Sequence, residues 1–367
     1  MRRPSFAPSQ RRPLALALLT SAAALAPAGP VGTADAATTV LEIHSPGPAM
    51  RMSGNGKVTG FYVAKCTTLS SQPKRTICYN APWLYDGHQV SKLAGKFPSN
   101  ANAKAVAVND AGQLIGADLT GAWLYSSGTV AYVDAAGAGV SSNSRLHAVN
   151  NAGTALGMSY LPVAGSPVYQ PITYQFNGVP RAALQPGYSV VDINDAGMIA
   201  GWFRNGAGLE QPFVAAGPDS KAASGIVAVP GLPPVNCRPV RLSQRSAAGA
   251  VWVAINCAGN RAFRYRVDAA APEELLHAGS SNLSVVSING QGTAAGTAVR
   301  PGANAPDGYT ALLWAGNPSV PLDLNANQAF APAGAWNVHA TDINEAGTVL
   351  TGYNDTAGNF YTFLVQP

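Results

Sequence analysis

The sequence predicts an all-β chain, a seven-bladed β-propeller whose last blade is closed by an N-terminal strand. Three observations lead there. A motif of apolar residue, Asn, two small or polar residues, Gly, a short apolar run and a second Gly is clearest at Val191 to Gly201, and recurs at Val108 to Gly116, Val149 to Gly157, Ile288 to Gly296 and Ile343 to Gly352. Each copy is followed, after a variable gap, by a short aromatic run. With 39 Gly and 28 Pro in 367 residues and only 11% charged residues, the composition suits short strands and turns, whereas exposed helix faces would need more Glu, Lys and Arg.

In chain order, Arg2, Arg3, Arg11 and Arg12 precede the apolar Leu14 to Ala28, and Ala34-Asp35-Ala36 offers small residues at a cleavage spacing. Residues 1–36 read as an export signal, with Arg11-Arg12 raising the twin-arginine route as an alternative to the general one. Residues 37–367 then form one propeller domain, exported to the periplasm or the cell exterior. No later stretch reaches the roughly 18 consecutive apolar residues of a membrane span. Thr38 to Ile43 is a spare strand, and the last unit ends at Pro367 without a fourth strand, so the two are expected to pair and remove an open edge. An open solenoid of the same hairpins is the rival architecture.

Runs such as Ala105 to Val108 and Ser284 to Ile288 are too short for helices and rich in β-branched residues, which marks them as strands. The Asn-x-x-Gly that follows suits a tight turn, with Asn bonding its own backbone and Gly taking positive φ. The second Gly falls within the next strand, where a missing side chain signals close approach of another backbone or a large ring. Two worn copies complete the set: Met52 to Gly60 places Ser53 at the Asn position, and Ser246 to Trp252 places Ser246 there and lacks the second Gly. The aromatic strands are Trp83 to Tyr85, Trp123 to Tyr125, Tyr174 to Phe176, Phe213-Val214, Phe263 to Tyr265, Leu313-Trp314 and Phe363 to Val365. Most precede a fourth run, which gives four strands per unit of about 47 residues.

Four cysteines fall into two local pairs, Cys66 with Cys78 and Cys237 with Cys257. In an exported chain these are expected to be disulfides. Zinc, the alternative, wants a CxxC-type pair or a nearby His, and neither is present, so no metal and no cofactor is expected. Setting aside the signal leaves 19 basic and 17 acidic residues, which gives nucleic-acid binding little support.

The motif resembles the HAF-type extracellular repeats of bacterial exported proteins over nearly the whole mature chain. The copies at Ser53 and Ser246 depart from it at the Asn. The resemblance implies an exported, β-rich repeat protein and brings no catalytic residue with it.

With the strand before Asn innermost, the Asn turns share one face of the disc and the variable loops the other. The widest gaps within a blade, Gly60 to Trp83, Gly157 to Tyr174 and Gly296 to Trp314, make the loop face the expected binding surface. Five residues before each Asn or its Ser substitute, at the loop end of the inner strand, stand Lys104, Arg145, Ser189, Arg241, Ser284 and His339. Four of the six can carry positive charge, and a ring of them at the channel mouth would favour an anionic ligand; basic residues at exposed strand ends would leave the same pattern. Trp202, Tyr160, Tyr169, Tyr309 and Trp336 lie outside the aromatic column and are the better candidates for ligand contact, Trp202 and Tyr309 foremost. Asp192 and Asp342, each two before an Asn, are expected to accept backbone amides. Glu210, Glu273, Glu274 and Asp307 fall in expected loops, where carboxylates from separate blades could meet as in glycosidases. No standard catalytic motif occurs. The sequence thus points first to a monomeric, non-catalytic binding module for a polysaccharide or protein. A lyase or hydrolase acting on an anionic polysaccharide comes second, and a structural envelope component third.

Overall fold

Short β-branched runs separated by tight turns pair with their sequence neighbours. In the computed structural model, which describes residues 39–70, 75–133, 144–163, 165–217, 225–299, 308–325, 330–331 and 335–367, they form seven four-stranded sheets. Residues 1–36, expected to be an export signal, lie outside the described residues, as does Asp307. The first six sheets each take four consecutive strands. The seventh takes Trp336–Ile343, Val349–Asn354 and Phe360–Gln366, and is completed by Thr39–Ile43, with Thr39 opposite Gln366 and Ile43 opposite Thr362.

The inner strands of blades one to seven are Ala49–Met52, Lys104–Val108, Arg145–Val149, Tyr188–Ile193, Cys237–Leu242, Ser281–Ile288 and Trp336–Ile343. Each touches the next, and the last touches the first. The ring is therefore closed, a seven-bladed β-propeller rather than an open solenoid. Its apolar interior is divided into seven clusters, each shared by two neighbouring blades. Trp123, for example, packs with Leu93 and Phe97 of blade one, its ring 4.8 Å from that of Phe97.

The repeated Asn does two jobs. Its side-chain oxygen accepts the amide four residues on, closing the turn, as from Gln113 to Asn109 at 2.9 Å and from Met198 to Asn194 at 3.0 Å. Its Nδ2 donates to the carbonyl of the matching residue in the next blade: Asn109 to Asn150 at 2.9 Å, Asn150 to Asn194 at 3.2 Å, Asn194 to Ser243 at 3.1 Å. The second Gly answers to a steric demand. A Cβ on Gly116 would lie 2.1 Å from the Lys104 carbonyl oxygen and 2.4 Å from the Trp123 ring, and one on Gly201 would meet Ser189 and Phe213 as closely. In blade seven the register places Thr351 at this station, one before Gly352, and its hydroxyl donates to the His339 carbonyl at 2.7 Å.

Blade five departs from the repeat in a way the sequence motif conceals. Its Ser246 turn forms, with Ala250 N–H donating to Ser246 Oγ at 3.0 Å. Yet the residue at the Asn station is Ser243, whose carbonyl receives the Asn194 bond and whose hydroxyl accepts the Trp252 amide at 2.9 Å. The hairpin is five residues longer than its counterparts, three of them on the side of the inner strand, and positions counted back from Ser246 shift accordingly.

Both expected disulfides are present and no cysteine is free. They differ in what they hold. Cys237–Cys257 joins two strands of blade five and both residues belong to the core shared with blade four. Cys66–Cys78 crosses an exposed ribbon beyond the core. Removing the Cys237 pair with Ser is expected to lower global stability by about 3 kcal/mol. Removing the Cys66 pair should leave the main thermal transition in place and expose the ribbon to proteases. Melting curves and limited proteolysis of the two double variants check this, and equal melting losses would contradict it.

Candidate functional site

The turn face is occupied by structure. One residue past the Asn station stand Asp110, Asn151, Asp195, Gln244 and Glu345, and they bond around the channel. Asp110 accepts the Asn55 amide at 2.8 Å, Asn151 accepts that of Asp110 at 2.9 Å, Asp195 accepts that of Asn151 at 2.7 Å, and Gln244 accepts that of Asp195 at 2.7 Å. Glu345 takes the amides of Gln244 and Gly290. These residues rim a cavity of about 430 Å³ whose floor includes Asp192 and Arg241.

Below the rim the channel holds four charges at one level: Arg51, Asp192, Arg241 and Asp342, opposite Thr59, Ala200, Ala254 and Leu350 of their own blades. Arg241 lies 3.5 Å from Asp192 and 3.6 Å from Asp342. Burial opposes its charge, but the carboxylates of Asp342, Asp192 and Glu345 together outweigh burial and raise its pKa. Burial and then the charge of Arg241 lower the pKa of Arg51. Each carboxylate also accepts two backbone amides. Asp192 takes those of Ile193 and of Leu242 in blade five; Asp342 takes those of Ile343 and of Met52 in blade one. The expected amide-accepting role is thus met, and the bonds staple one blade to the next. Arg241, expected at the loop end of its strand, sits instead near the turn end, because the longer hairpin of blade five moves the register by three.

The residue at the station of Lys104 in blade five is Arg238, opposite Asn256. It is not free. Its guanidinium forms a two-pronged bond with buried Glu210, whose pKa is lowered chiefly by that bond, and it lies 4.5 Å over the Trp202 ring. That Trp202 face is therefore covered. Glu273 and Glu274 are likewise paired, with Arg264 and Arg261, so the carboxylates expected in loops serve ion pairs. His339 is not a cation of the mouth either: burial lowers its pKa, and its Nδ1 lies 2.6 Å from the Asn337 carbonyl. Tyr309 begins the third strand of blade six, opposite Val299.

Lys104 and Arg145 remain, both exposed, at the loop ends of the inner strands of blades two and three. The surface around them is shaped by unequal hairpins. Counted from the close-packed Gly, the second strand continues nine residues in blade one, to Leu69, six in blade three, to Val163, and one in blade two, to Ala117. At about 3.3 Å per residue these rise roughly 30, 20 and 3 Å. Two of the expected long loops are therefore extensions of the blade's own strands. Blade two lies low between them, its turn presenting Leu119 at 69% exposure.

The blade-one ribbon carries Lys65, Arg75 and Val63, the last 58% exposed, and Asn80 at its root bonds Asn102 of blade two at 2.7 Å. Lys104 lies 4.8 Å over the Phe61 ring. The blade-three ribbon pairs Tyr160 with Tyr169, rings 5.0 Å apart. Among the described residues every ion pair lies in blades four and five, in the channel or beside the N-terminal strand. Lys65, Arg75, Lys104 and Arg145 have none. Asp118, in the blade-two turn, spends one oxygen on the Thr120 and Gly121 amides and the other on the Tyr132 hydroxyl at 2.6 Å.

No protein-family model and no curated protein sequence matches this chain. Solved structures do match, at low identity. A structure from a study of two prolyl endopeptidases aligns at 11% identity with a TM-score of 0.52, covering 90% of this chain and 50% of that one. PorZ, a surface component of the type-IX secretion system of Porphyromonas gingivalis, aligns at 12% and 0.47, covering 86% and 46%. The extracellular domain of a one component system from B. thetaiotaomicron aligns at 13% and 0.45, covering 83% and 39%. This chain spans half or less of each. At these identities the likeness is one of fold, and membership of the HAF-type repeats is not upheld; what stands is a seven-bladed β-propeller with two disulfides, which suit an oxidising compartment. No helix among the described residues is long and apolar enough to cross a membrane.

Proposed function

We propose that the chain is an exported, non-catalytic binding module whose loop face, over blades one to three, takes an anionic polysaccharide. The observation that carries this reading is the segregation of charge. Lys65, Arg75, Lys104 and Arg145 share that face with no ion pair among the described residues, while Arg204, Arg238, Arg261, Arg264 and Arg266 of blades four and five are matched by carboxylates. Unpaired cations near a two-walled surface raise the local concentration of polyanions. Phe61 and Leu119 add apolar area beside them. The channel supports the same reading from the opposite side, because the carboxylates of Asp192 and Asp342 are engaged by backbone amides and Arg241, so neither of these two is free for bond cleavage.

The mature chain, residues 37–367, is titrated with alginate and polygalacturonate, with dextran as the uncharged control. Binding to the two polyanions is expected, weakening as salt screens the charges. The Lys104→Ala/Arg145→Ala and Lys65→Ala/Arg75→Ala pairs should each weaken it about tenfold. Polymer length should not change on long incubation. Equal affinity of the four-fold variant, or no binding, overturns the reading; shortened polymer turns it toward the lyase or hydrolase.

A further inference from the structure

Asp192 and Asp342 show what the inner strands demand at their level of the channel. Each inner strand is the edge of its sheet, and in every blade the residue at the Asn station hydrogen-bonds across the turn, as Asn109 N–H does to the Gln113 carbonyl and Asn150 N–H to that of Thr154, both at 3.1 Å. Bonded and free pairs alternate along an antiparallel ladder, so the N–H one residue earlier points away from its own sheet and into the channel. Asp192 accepts two of these, from Ile193 and from Leu242 of the next blade, and Asp342 accepts those of Ile343 and Met52. Blade two supplies no such carboxylate, because Ala107 stands at that level, opposite Ile115 as Asp192 is opposite Ala200. The amides of Val108 and Val149 therefore face the channel with no side-chain acceptor among the described residues, and both residues line its cavity of about 430 Å³. We propose that this cavity binds a small zwitterion of the amino-acid class, its carboxylate on the amides of Val108 and Val149 beside Arg51 and its ammonium toward the acidic rim.

Donors outnumber acceptors at the inner end. Arg51, at the same level in the adjoining blade one, has neither an ion pair nor a side-chain hydrogen bond among the described residues. Burial and the charge of Arg241 oppose its own charge more than Asp342 and Asp192 support it. Polar groups drawn into a protein interior are normally hydrogen-bonded. A ligand carboxylate beside Ala107 would repeat the arrangement around Asp192, in which two amides from successive blades converge on one carboxylate and Arg241 lies 3.5 Å away.

The outer end has the opposite character. The cavity lining holds four carboxylates, Asp110, Asp192, Asp195 and Glu345, against the single guanidinium of Arg241, so a plain anion is repelled at the mouth. Asp110 and Asp195 belong to the turns of blades two and four, and Asn151 of blade three ties them together, its Nδ2 donating to both at 2.8 and 2.9 Å. That arc of the rim continues the strands that carry Val108 and Val149. Each oxygen of Asp110 and Asp195 accepts one N–H, from Asn55 or Asn151, and has a lone pair left for a second donor. An ammonium brings three. A ligand with both charges thus meets donors below and acceptors above, and one with a single charge meets only half of the site. The loop-face cations lie at the other end of the disc and take no part, so this site stands or falls apart from the polysaccharide one.

The experiment titrates the chain 37–367 with glycine, 4-aminobutyrate and 6-aminohexanoate, three spacings of the two charges, and with acetate and n-butylamine, which carry one charge each. Saturation-transfer NMR reads the ligand signals. At least one amino acid should bind saturably, and acetate and n-butylamine should bind at least about tenfold more weakly than it. Ala107→Asp would place the protein's own carboxylate on the two amides, and should abolish binding without lowering the melting temperature. Arg51→Met should weaken binding about tenfold, with melting curves confirming that the variant is folded. The proposal is overturned if none of the three amino acids saturates, if acetate or n-butylamine matches the best of them, or if either folded variant binds like the parent chain.

Discussion

Replacing Asp342 with Ala is expected to destabilise the propeller by about 3–5 kcal/mol, the cost of leaving a buried charge without its partner. The fully buried carboxylate of Asp342 accepts the amides of Met52 and Ile343 and the hydroxyl of Ser287, and it faces Arg241 at 3.6 Å. Without it, Arg51 and Arg241 confront a single carboxylate, and the backbone of blade one loses its bond to blade seven. For a domain of this size the loss corresponds to a fall in Tm of roughly 5 °C. Asp342→Asn should fall between, because it retains an acceptor and loses the charge. The Asp342→Ala/Arg241→Ala double variant should lose less than the sum of its parts, since the two groups interact directly. Calorimetric melting of the parent chain, the two Asp342 variants, Arg241→Ala and the double variant decides the matter. A Tm change within error for Asp342→Ala would show that the closing joint does not depend on the charge cluster.

Deleting the N-terminal strand should have the larger consequence for solution behaviour. Thr39–Ile43 pairs over its whole length with Phe360–Gln366, and Ile43 reaches the core shared by blades seven and one. A chain beginning at Ser45 would present the other edge of Phe360–Gln366 unpaired, a template for another chain. It is expected to elute as oligomers or aggregate, and a synthetic peptide spanning residues 38–44, added in excess, should restore a single monomer-sized peak. Size-exclusion chromatography with light scattering reads both outcomes. A truncated protein that elutes as a monomer with an unchanged melting point would mean that three strands suffice for the last blade.

The architecture was legible because its cause is local and repeated. Asn closes each turn and Gly makes room for a neighbouring backbone or ring, so the period of the motif is the period of the blades. The spare strand at the N-terminal side could be assigned for a similar reason, since a ring with one strand missing at its end has only one place to find it. The site was less legible. Arg241 was expected beside Lys104 because the motif was counted from Ser246, and nothing in the residues reveals that Ser243 has taken over the inter-blade bond. A β-bulge interrupts every inner strand between the loop end and the turn, and no residue type marks it. The pairing of Arg238 with Glu210 joins residues 28 apart and cancels a charge that composition counts in full. One signal in the residues does favour a ribbon over a loop in the widest gap: Phe61, Tyr62, Val63, Thr67 and Thr68 are β-formers in a stretch interrupted by Ala64 and Lys65.

The Asn bonds all point the same way around the disc. Blades two, three, four and six each donate to their successor, from Asn109 to Asn150, to Asn194, to Ser243, and again from Asn289 to Asn344. In the language of assemblies this is a head-to-tail, heterologous interface, of the kind that makes rings when its rotation closes and filaments when it does not. The blades behave as protomers that happen to share one chain. The ring closes only if the rotation at each joint agrees with the number of repeats that the chain strings together.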